Sequence, residues 1–472
     1  MSGITALLIA GSCSLLLAAC TVGPDYVRPA PVETMPAAYR ELEGWKVAQP
    51  QEGKINKRWW EIYHDPVLNS LEEQVAISNL NVVAAEARFR QARAVVQSAK
   101  AGYFPLLTAG ASATRSQGSA NPGTGRSVSA TTSNFQLPLD LTWELDIWGR
   151  IRRGVEASQA SVQASAADLA GATLSAQAAL AGDYFQLRVL DAQKQLFENT
   201  ITVYRKSLEM TKNRYDAGIV AKSDVLQAET QLNSTEAQTI DLGVQRAQLE
   251  HAIALLIGKP PAAFSLPPTT LAATIPAIPT GLPSELLERR PDIASSERSM
   301  AAANAQIGIA KAAYFPTVKL SAAAGFEASS LAAWFAWPSR FWSVGPAMAA
   351  TLFDGGLRKS QSDQAIAVYD SAVAAYRESV LTAFQEVEDN LAALRILEDE
   401  AQVLDQAVQA ARQVVNITAN QYQAGTVAYL NVLVAQSTAL ANERTALSIL
   451  GRKFTATVLL VKALGGGWIP DR

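Results

Sequence analysis

The chain has 472 residues, and 40 lysines and arginines stand against 43 aspartates and glutamates, so its formal net charge is −3. This near balance gives no indication of a nucleic-acid partner. With two histidines in the whole sequence, a histidine-based metal site or catalytic triad has little to draw on. No glycine-rich phosphate loop is present either. The sequence therefore predicts neither an enzyme nor a bound cofactor.

The N-terminus carries a short apolar stretch, residues 4–19, in which two alanines directly precede Cys20. A stretch of this length indicates a secretion signal rather than a membrane span. Small residues that end at a cysteine indicate a bacterial lipoprotein, and Cys13 fits that pattern less well than Cys20. The alternative is an ordinary signal peptide that happens to contain a cysteine. We predict a signal peptide over 1–19 and a lipid anchor on Cys20.

Two motifs occur twice in the same order along the chain. Tyr-Phe-Pro starts at Tyr103 and again at Tyr314, and Tyr-x-Ala-Gly starts at Tyr215 and again at Tyr422. Such repetition indicates a duplicated structural unit, and the seven prolines of residues 258–283 mark a linker between the copies. The predicted segments are an anchor segment over 20–66, a first repeat over 67–257, a linker over 258–291, a second repeat over 292–464 and a tail over 465–472.

Each repeat is predicted to contain a shorter helix and a long one. The shorter helices, over about 67–102 and 292–313, end at Tyr-Phe-Pro because proline cannot continue a helix. The long helices, over about 150–216 and 357–424, contain no proline and end at Tyr-x-Ala-Gly. The residues through which neighbouring helices would contact one another are mostly small, which favours helices arranged side by side around a hollow tube. A solid coiled coil would need more leucine and isoleucine at these positions.

Residues that alternate between apolar and polar predict strands between these helices. The clearest run covers 135–147, a second covers 318–327, and a weaker strand is predicted over about 343–353. A soluble sandwich would show the same alternation. Membrane strands are favoured by the lipoprotein signal, by the length of ~10 residues and by aromatic residues near the strand ends, which could form interfacial girdles. These aromatic residues are Phe104, Phe135, Trp148, Phe315, Phe341 and Trp342.

Four predicted strands are too few to close a membrane barrel, which needs at least about eight. Three copies would supply twelve strands and leave room for a pore, so we predict a homotrimer. Loops over 116–133 and 329–341 are expected outside the cell, the second being unusually apolar and folded over the mouth. The polar faces would line the barrel lumen, and their charged members are Asp140, Glu144, Lys319 and Glu327.

Several short motifs follow one another along the mature sequence, namely Cys20 to Tyr26, Trp59-Trp60, Trp143 to Asp146, Arg289 to Ile293, Phe353 to Gly356 and Lys462 to Trp468. With these motifs in this order, nearly the whole mature sequence resembles the TolC family of outer-membrane efflux factors, and specifically its OprM/NodT lipoprotein branch. The resemblance implies an α+β membrane protein, a trimer whose twelve-stranded β-barrel is continued by a twelve-helix periplasmic α-barrel, with an equatorial domain from the terminal and linker segments. It also implies a periplasmic adaptor, an inner-membrane pump of the RND type and outer-membrane lipid as partners.

A gate at the tip of the tunnel is also implied by this resemblance. The similar branch constricts the tip at a helix start that contains a leucine, an acidic residue and a basic residue. Leu430 matches the leucine, whereas Val434 and Ser437 replace the two charged residues. We therefore predict closure by packing and hydrogen bonding. The predicted gate residues are Tyr215, Asp224, Tyr422, Tyr429, Leu430, Val434 and Ser437.

The predicted function is an outer-membrane exit duct through which an inner-membrane pump expels its substrates. Two alternatives stay open at this point. One is a duct for type I polypeptide secretion, since a passive tunnel does not select its cargo. The other is a structural coiled-coil lipoprotein of the envelope, which would account for the lipid and the helices but not for the alternating strands.

Overall fold

The computed structural model describes residues 21–31, 38–42, 58–118, 131–269, 275–278 and 286–467. Cys20 and most of the loop predicted over 116–133 lie outside these ranges. The chain divides into two compact units. We call one the strand unit (Met1–Ala30, Phe89–Ser165 and Ser296–Tyr376) and the other the helical unit (Pro31–Arg88, Ala166–Ser295 and Arg377–Arg472).

One antiparallel sheet contains all the described strands. Its strands are β1 (Leu106–Ala109), β2 (Ser112–Gln117), β3 (Thr131–Leu145), β4 (Thr317–Ala328) and β5 (Arg340–Ala349). Both β1 and β2 pair with β3, β3 pairs with β4, and β4 pairs with β5. The sheet therefore has β1 with β2 at one edge and β5 at the other.

The first two strands form a single continuous track. Thr108 faces Asp140 and Ser112 faces Gln136, so the register does not change between them. Gly110 N donates to Pro138 O at 3.0 Å, but proline has no N–H to return, and the ladder is interrupted there. The four predicted strand tracks are thus confirmed. The last begins at residue 340, earlier than the predicted 343.

Eight α-helices are described. They are α1 (Pro66–Ser78), α2 (Leu80–Ala101), α3 (Arg150–Asp216), α4 (Lys222–Leu256), α5 (Leu286–Arg289), α6 (Pro291–Ala312), α7 (Leu357–Gln423) and α8 (Tyr429–Ala463). The predicted ends of the long helices are confirmed. Gly218 and Gly425 follow α3 and α7 with φ of 73° and 76°, the left-handed geometry that favours glycine at a helix end.

The single helix predicted over 67–102 is wrong, because the chain breaks it at Asn79. The backbone of Asn79 is extended. Its side-chain oxygen accepts from the N–H groups of Asn81 and Val82, at 3.0 and 3.2 Å, and so caps α2. Its amide nitrogen donates to Leu256 O at 2.8 Å. The tertiary bond to α4 holds the break in place.

Aromatic side chains form the core of the helical unit. A 3-10 helix (Trp59–Tyr63) and α1 pack on α3, α4 and α8, with Phe185 between Tyr63 and Phe454 at ring distances of 4.6 and 4.5 Å. Because nearly all of these side chains are fully buried, they dominate the apolar area that this unit removes from water.

Hydrogen bonds from charged side chains hold the first part of the proline-rich linker, at residues 266 and 267, against this core. Arg246 donates to Asp191 at 2.7 Å and to Leu266 O at 2.6 Å. Arg188 contributes bonds to Asp191 at 3.1 Å and to Pro267 O at 2.8 Å. Pairing satisfies these buried groups, since an unpaired one would be costly.

Candidate functional site

The polar face of the sheet carries all four predicted lumen residues. Glu144 lies opposite Lys319, Gln136 lies opposite Glu327, and Asp140 lies opposite Ala323. Directly opposed residues of an antiparallel pair project from the same face. The structure thus brings Asp140, Glu144, Lys319 and Glu327 together on one face.

These acidic side chains differ in their local partners. Arg150 binds the Glu144 carboxylate with two hydrogen bonds, of 2.8 and 3.0 Å. Glu327 accepts from the amides of Asn134 and Gln136, at 2.9 and 3.0 Å. The Asp140 backbone carbonyl accepts from the Thr108 hydroxyl at 3.4 Å, but its carboxylate has no hydrogen-bond or ion-pair partner among the described residues. Of the three carboxylates, Asp140 therefore presents the least compensated charge on this face.

The opposite face of the sheet is apolar and exposed in one copy of the chain. On β3 and β4, Leu137, Leu139, Leu141 and Trp143 lie opposite Phe326, Ala324, Ala322 and Leu320. On β4 and β5, Ala324, Ala322 and Val318 lie opposite Trp342, Val344 and Met348. Leu139, Trp342, Val344 and Met348 are at least half exposed. An exposed apolar face of this extent marks an interaction surface.

The predicted aromatic girdle is only partly placed on that face. Trp342 belongs to the apolar face, whereas Phe341 lies opposite Gly325 on the polar one, so the grouping of Phe341 with the others was wrong. A one-residue difference in a strand reverses the face. Near the other ends of the strands, Trp148 stacks on Phe315 with ring centres 4.7 Å apart.

The predicted apolar loop folds back onto the strands. Trp334 packs against Phe135, and Phe335 packs against Phe326, both with ring centres 5.7 Å apart. Trp334 and Phe335 also stack on each other at 5.1 Å. The rings thus hold the loop against the apolar face by the offset and edge contacts that aromatic pairs favour.

The segment after Cys20 is clamped within the strand unit. Val22 N donates to Trp148 O at 3.3 Å, and the buried Arg153 donates to Asp25 at 2.8 Å. Gly23 has a φ of 104° and lies so close to Gly308 that a side chain would clash with its backbone. These contacts hold Thr21 beside the junction between β3 and α3. The sequence motif marks this segment, but it did not reveal that Arg153 would bind it.

The predicted gate residues fall into a buried set and an exposed set. Tyr422 and Tyr429 are buried, with ring centres 5.5 Å apart, and burial raises the pKa of the Tyr429 hydroxyl. Tyr215, Leu430 and Val434 are exposed in one copy of the chain, and Asp224 and Ser437 are half-buried.

Arg214 contacts Tyr422 of the buried gate set, and sequence reasoning missed it. Its guanidinium donates to Tyr422 O at 2.6 Å and lies over the Tyr422 ring, 4.7 Å from the ring centre. A basic residue in the last turn of α3 is the signal that could have indicated it, because a cation there meets the carbonyls of a helix end. Here the carbonyl belongs to the neighbouring helix α7.

Among the described residues, no three His, Cys, Asp or Glu side chains lie close enough together to hold a metal ion. Within the same part of the chain, no helix combines the length and the apolar character that crossing a membrane requires.

Comparisons with known proteins identify the family. The family model described as outer membrane efflux protein matches residues 71–259 and 282–466. The toluene efflux pump outer membrane protein TtgC of Pseudomonas putida is 30% identical over 96% of this chain and 94% of its own length. The pyoverdine export outer membrane protein OpmQ of Pseudomonas aeruginosa is 30% identical over 97% of both chains.

Solved structures agree with this result. The outer-membrane channel OprN superposes with a TM-score of 0.88 at 32% identity, over 95% of this chain and 100% of that one. The fold is accordingly that of the TolC-like outer-membrane channels, as the sequence predicted, and the family is one of channels rather than enzymes. The chain therefore belongs to the outer membrane efflux protein family and acts as the outer-membrane exit duct of a tripartite efflux system.

Proposed function

We propose that three copies of the chain assemble into a twelve-stranded barrel whose polar strand faces line the lumen. The observation that carries this proposal is the register of the sheet, which sorts every acidic strand residue onto one face and a broad apolar surface onto the other. One copy leaves two open sheet edges, and open edges are not tolerated in lipid. Pairing β5 of one copy with the β1 and β2 edge of the next removes them.

The remaining parts of the system follow from this assembly. An adaptor and an inner-membrane pump of the RND type are its partners on the periplasmic side, while the strand-connecting loops face outward. The division at residues 20–66, 67–257, 258–291, 292–464 and 465–472 is part of the same proposal. The two matched segments of the family model support two repeats.

Recording purified protein in planar bilayers tests the proposal. Stable conductance steps, from a species with the mass of three chains, are the expected result. A protein of that mass without conductance would favour the structural envelope lipoprotein. Transport of unfolded polypeptides, rather than small molecules, with the partner pump would favour the secretion duct.

Replacing Asp140 with Asn is expected to lower the cation preference of the channel. Three copies would put three carboxylates in a ring, and rings of carboxylates attract cations. Glu144→Gln should change the preference less, because Arg150 already compensates that carboxylate. The reversal potential in a salt gradient measures both.

Lys319→Gln serves as the control of opposite sign for this experiment. It removes a cation from the same face, so the cation preference should rise. A reversal potential that none of the three variants moves would show that this face does not line the conducting path.

Cys20 is expected to carry the acyl chains of the mature protein. The clamp on residues 22–25 supports this, because it holds the start of the described chain beside the strand ends, where an anchor could enter the bilayer. A single acyl chain binds membranes only marginally, so the anchor would supplement the barrel. Mass spectrometry of the mature N-terminus should show a lipidated Cys20, and Cys13→Ser should leave it unchanged. An unmodified terminus, or cleavage elsewhere, would contradict the prediction.

A further inference from the structure

Six charged side chains occur in the five described strands, and two of them do not follow the polar face. Asp140, Glu144, Lys319 and Glu327 share the polar face. Arg340 lies opposite Phe326, and Arg115 lies opposite Ser133, both on the apolar face. Both arginines stand at the end of the sheet where the strand-connecting loops lie.

The position of these two cations indicates the depth of the bilayer that they meet. An arginine on the lipid-facing side of a barrel costs about 2–4 kcal/mol at the midplane and about 0–1 kcal/mol near the interface. The middle of the apolar face, from Leu137 to Leu145 on β3, carries no charge. The arginines are therefore placed at headgroup depth, where lipid phosphates are the available anions.

Arg340 is held in a defined orientation by its neighbours. Its Nε donates to Trp337 O at 3.1 Å, and its guanidinium lies over the Trp337 ring. Both of its Nη groups have no hydrogen-bond partner in the described part of the chain. Trp337 and Trp342, which flank it, are 75% and 78% exposed. A guanidinium with free paired N–H groups matches phosphate oxygens in a bidentate manner, and exposed indoles suit the membrane interface.

We propose that Arg340, framed by Trp337 and Trp342, binds a phosphate of a phosphorylated glycolipid of the outer leaflet. The acyl chains of this lipid would lie along Val344 and Met348, which follow on the same face of β5. A phosphate monoester carries a charge near −1.5 to −2, which favours it over the singly charged phosphodiester of an ordinary phospholipid. This inference rests on the proposed function, in which the apolar face meets lipid and the loops face outward.

Native mass spectrometry of the detergent-purified protein tests the proposal. The probes are a diphosphorylated lipid A, the same glycolipid without phosphates, and phosphatidylglycerol. The wild type should retain the diphosphorylated lipid at least about tenfold better than the dephosphorylated glycolipid, since charge-assisted bonds to phosphate are worth that much. It should also retain it better than phosphatidylglycerol, whose phosphodiester carries a single charge. Equal retention of the dephosphorylated glycolipid or of phosphatidylglycerol would overturn the proposal without any variant.

Variants locate the site. Arg340→Gln should reduce retention of the diphosphorylated lipid about tenfold, and Arg340→Lys should reduce it less, because the charge remains. Lys319→Gln, which removes a cation from the opposite face, should retain as much as the wild type. Undiminished retention by Arg340→Gln would assign the lipid to another surface.

Bilayer conductance separates this inference from the proposed function. Arg340→Gln is expected to conduct like the wild type, because Arg340 is not on the polar face. A conducting wild type without preference for the phosphorylated glycolipid refutes the lipid site alone. A wild type that neither conducts nor has the mass of three chains refutes the channel assembly on which the lipid site rests.

Discussion

Replacing Glu72 with Gln is expected to raise the free energy of unfolding at pH 7 by about 3 kcal/mol. Glu72 is fully buried in α1, on the side of the helix that carries Leu68 and Val75. Neither of its carboxylate oxygens has a hydrogen-bond partner among the described residues. Burial raises the pKa of this carboxyl from its ordinary 4.5 to about 9, because the charged form cannot be solvated there.

The expected dependence on pH follows from the direction of this shift. Between pH 4.5 and 9 the folded protein keeps a proton on Glu72 that the unfolded chain has lost. Stability therefore falls as pH rises through this window, by about 1.4 kcal/mol per pH unit. Gln keeps the shape of the side chain but does not ionise, so the advantage of Glu72→Gln should be small at pH 5 and grow towards pH 8.5. Urea unfolding at three pH values measures it.

Glu73→Gln is the matched control for this experiment. Glu73 is the next residue of the same helix, but its side chain is exposed and pairs with Arg58 at the surface. Such pairs contribute little, so the stability should change by less than about 1 kcal/mol at every pH. A Glu72→Gln variant that is less stable than the wild type at pH 8 would show that the assembled protein supplies Glu72 with a partner.

Strand faces and helix ends, which depend on residues close together in the chain, were predicted well from the sequence. The alternation in β3 and β4 sorts residues by face without reference to the rest of the fold, and the register places Asp140, Glu144, Lys319 and Glu327 on one face, as the alternation predicts. The long helices also end at the two Tyr-x-Ala-Gly motifs. In these cases the signal and its physical cause lie within a few residues of each other.

Features fixed by distant partners were not predicted. The break at Asn79 depends on Leu256, far along the chain, and the clamp of the N-terminal segment depends on Arg153. The acidic pair Glu386 and Glu388 resembles a solvated helix face in sequence. In the structure Glu386 binds Arg290 at 2.6 Å, and Glu388 accepts from the backbone of residues 40 and 41. Helical periodicity alone cannot show which polar residues meet a partner.

Arg290 shows that a residue of a family motif can serve to hold helices together. It lies in the Arg-Arg-Pro-Asp run and is buried, with bonds to both oxygens of Asp292 at 3.0 and 2.6 Å and to Ala463 O at 2.9 Å. The guanidinium therefore joins α6, α7 and the end of α8. The motif alone does not reveal the bonds to Glu386 and Ala463, because these two partners lie far along the chain.

The two sets of gate residues should respond differently to truncation. Tyr429→Ala removes a buried ring that packs against Tyr422, so it is expected to lower the free energy of unfolding by about 3–5 kcal/mol, as for other large buried aromatic residues. Leu430→Ala shortens a side chain that is 52% exposed, so its stability cost should stay below about 1 kcal/mol. If Leu430 forms the constriction in the trimer, however, Leu430→Ala should open the channel substantially. Thermal unfolding and bilayer conductance of the same preparations measure the two effects separately.

Leu226→Ala is the matched control, since Leu226 on α4 has the same exposure of 52% but does not occupy the matching constriction position. It should leave the conductance unchanged, and an equal opening by both variants would contradict a gate at Leu430.

Val434→Asp tests the predicted absence of a charged residue from the gate. Val434 is 58% exposed and lies one turn beyond Leu430 on α8, so three introduced carboxylates near the axis would form a site for divalent cations. The variant should become blockable by divalent cations at concentrations that leave the wild type conducting. A wild type that divalent cations already block strongly would show that the gate is charged and that packing alone does not close it.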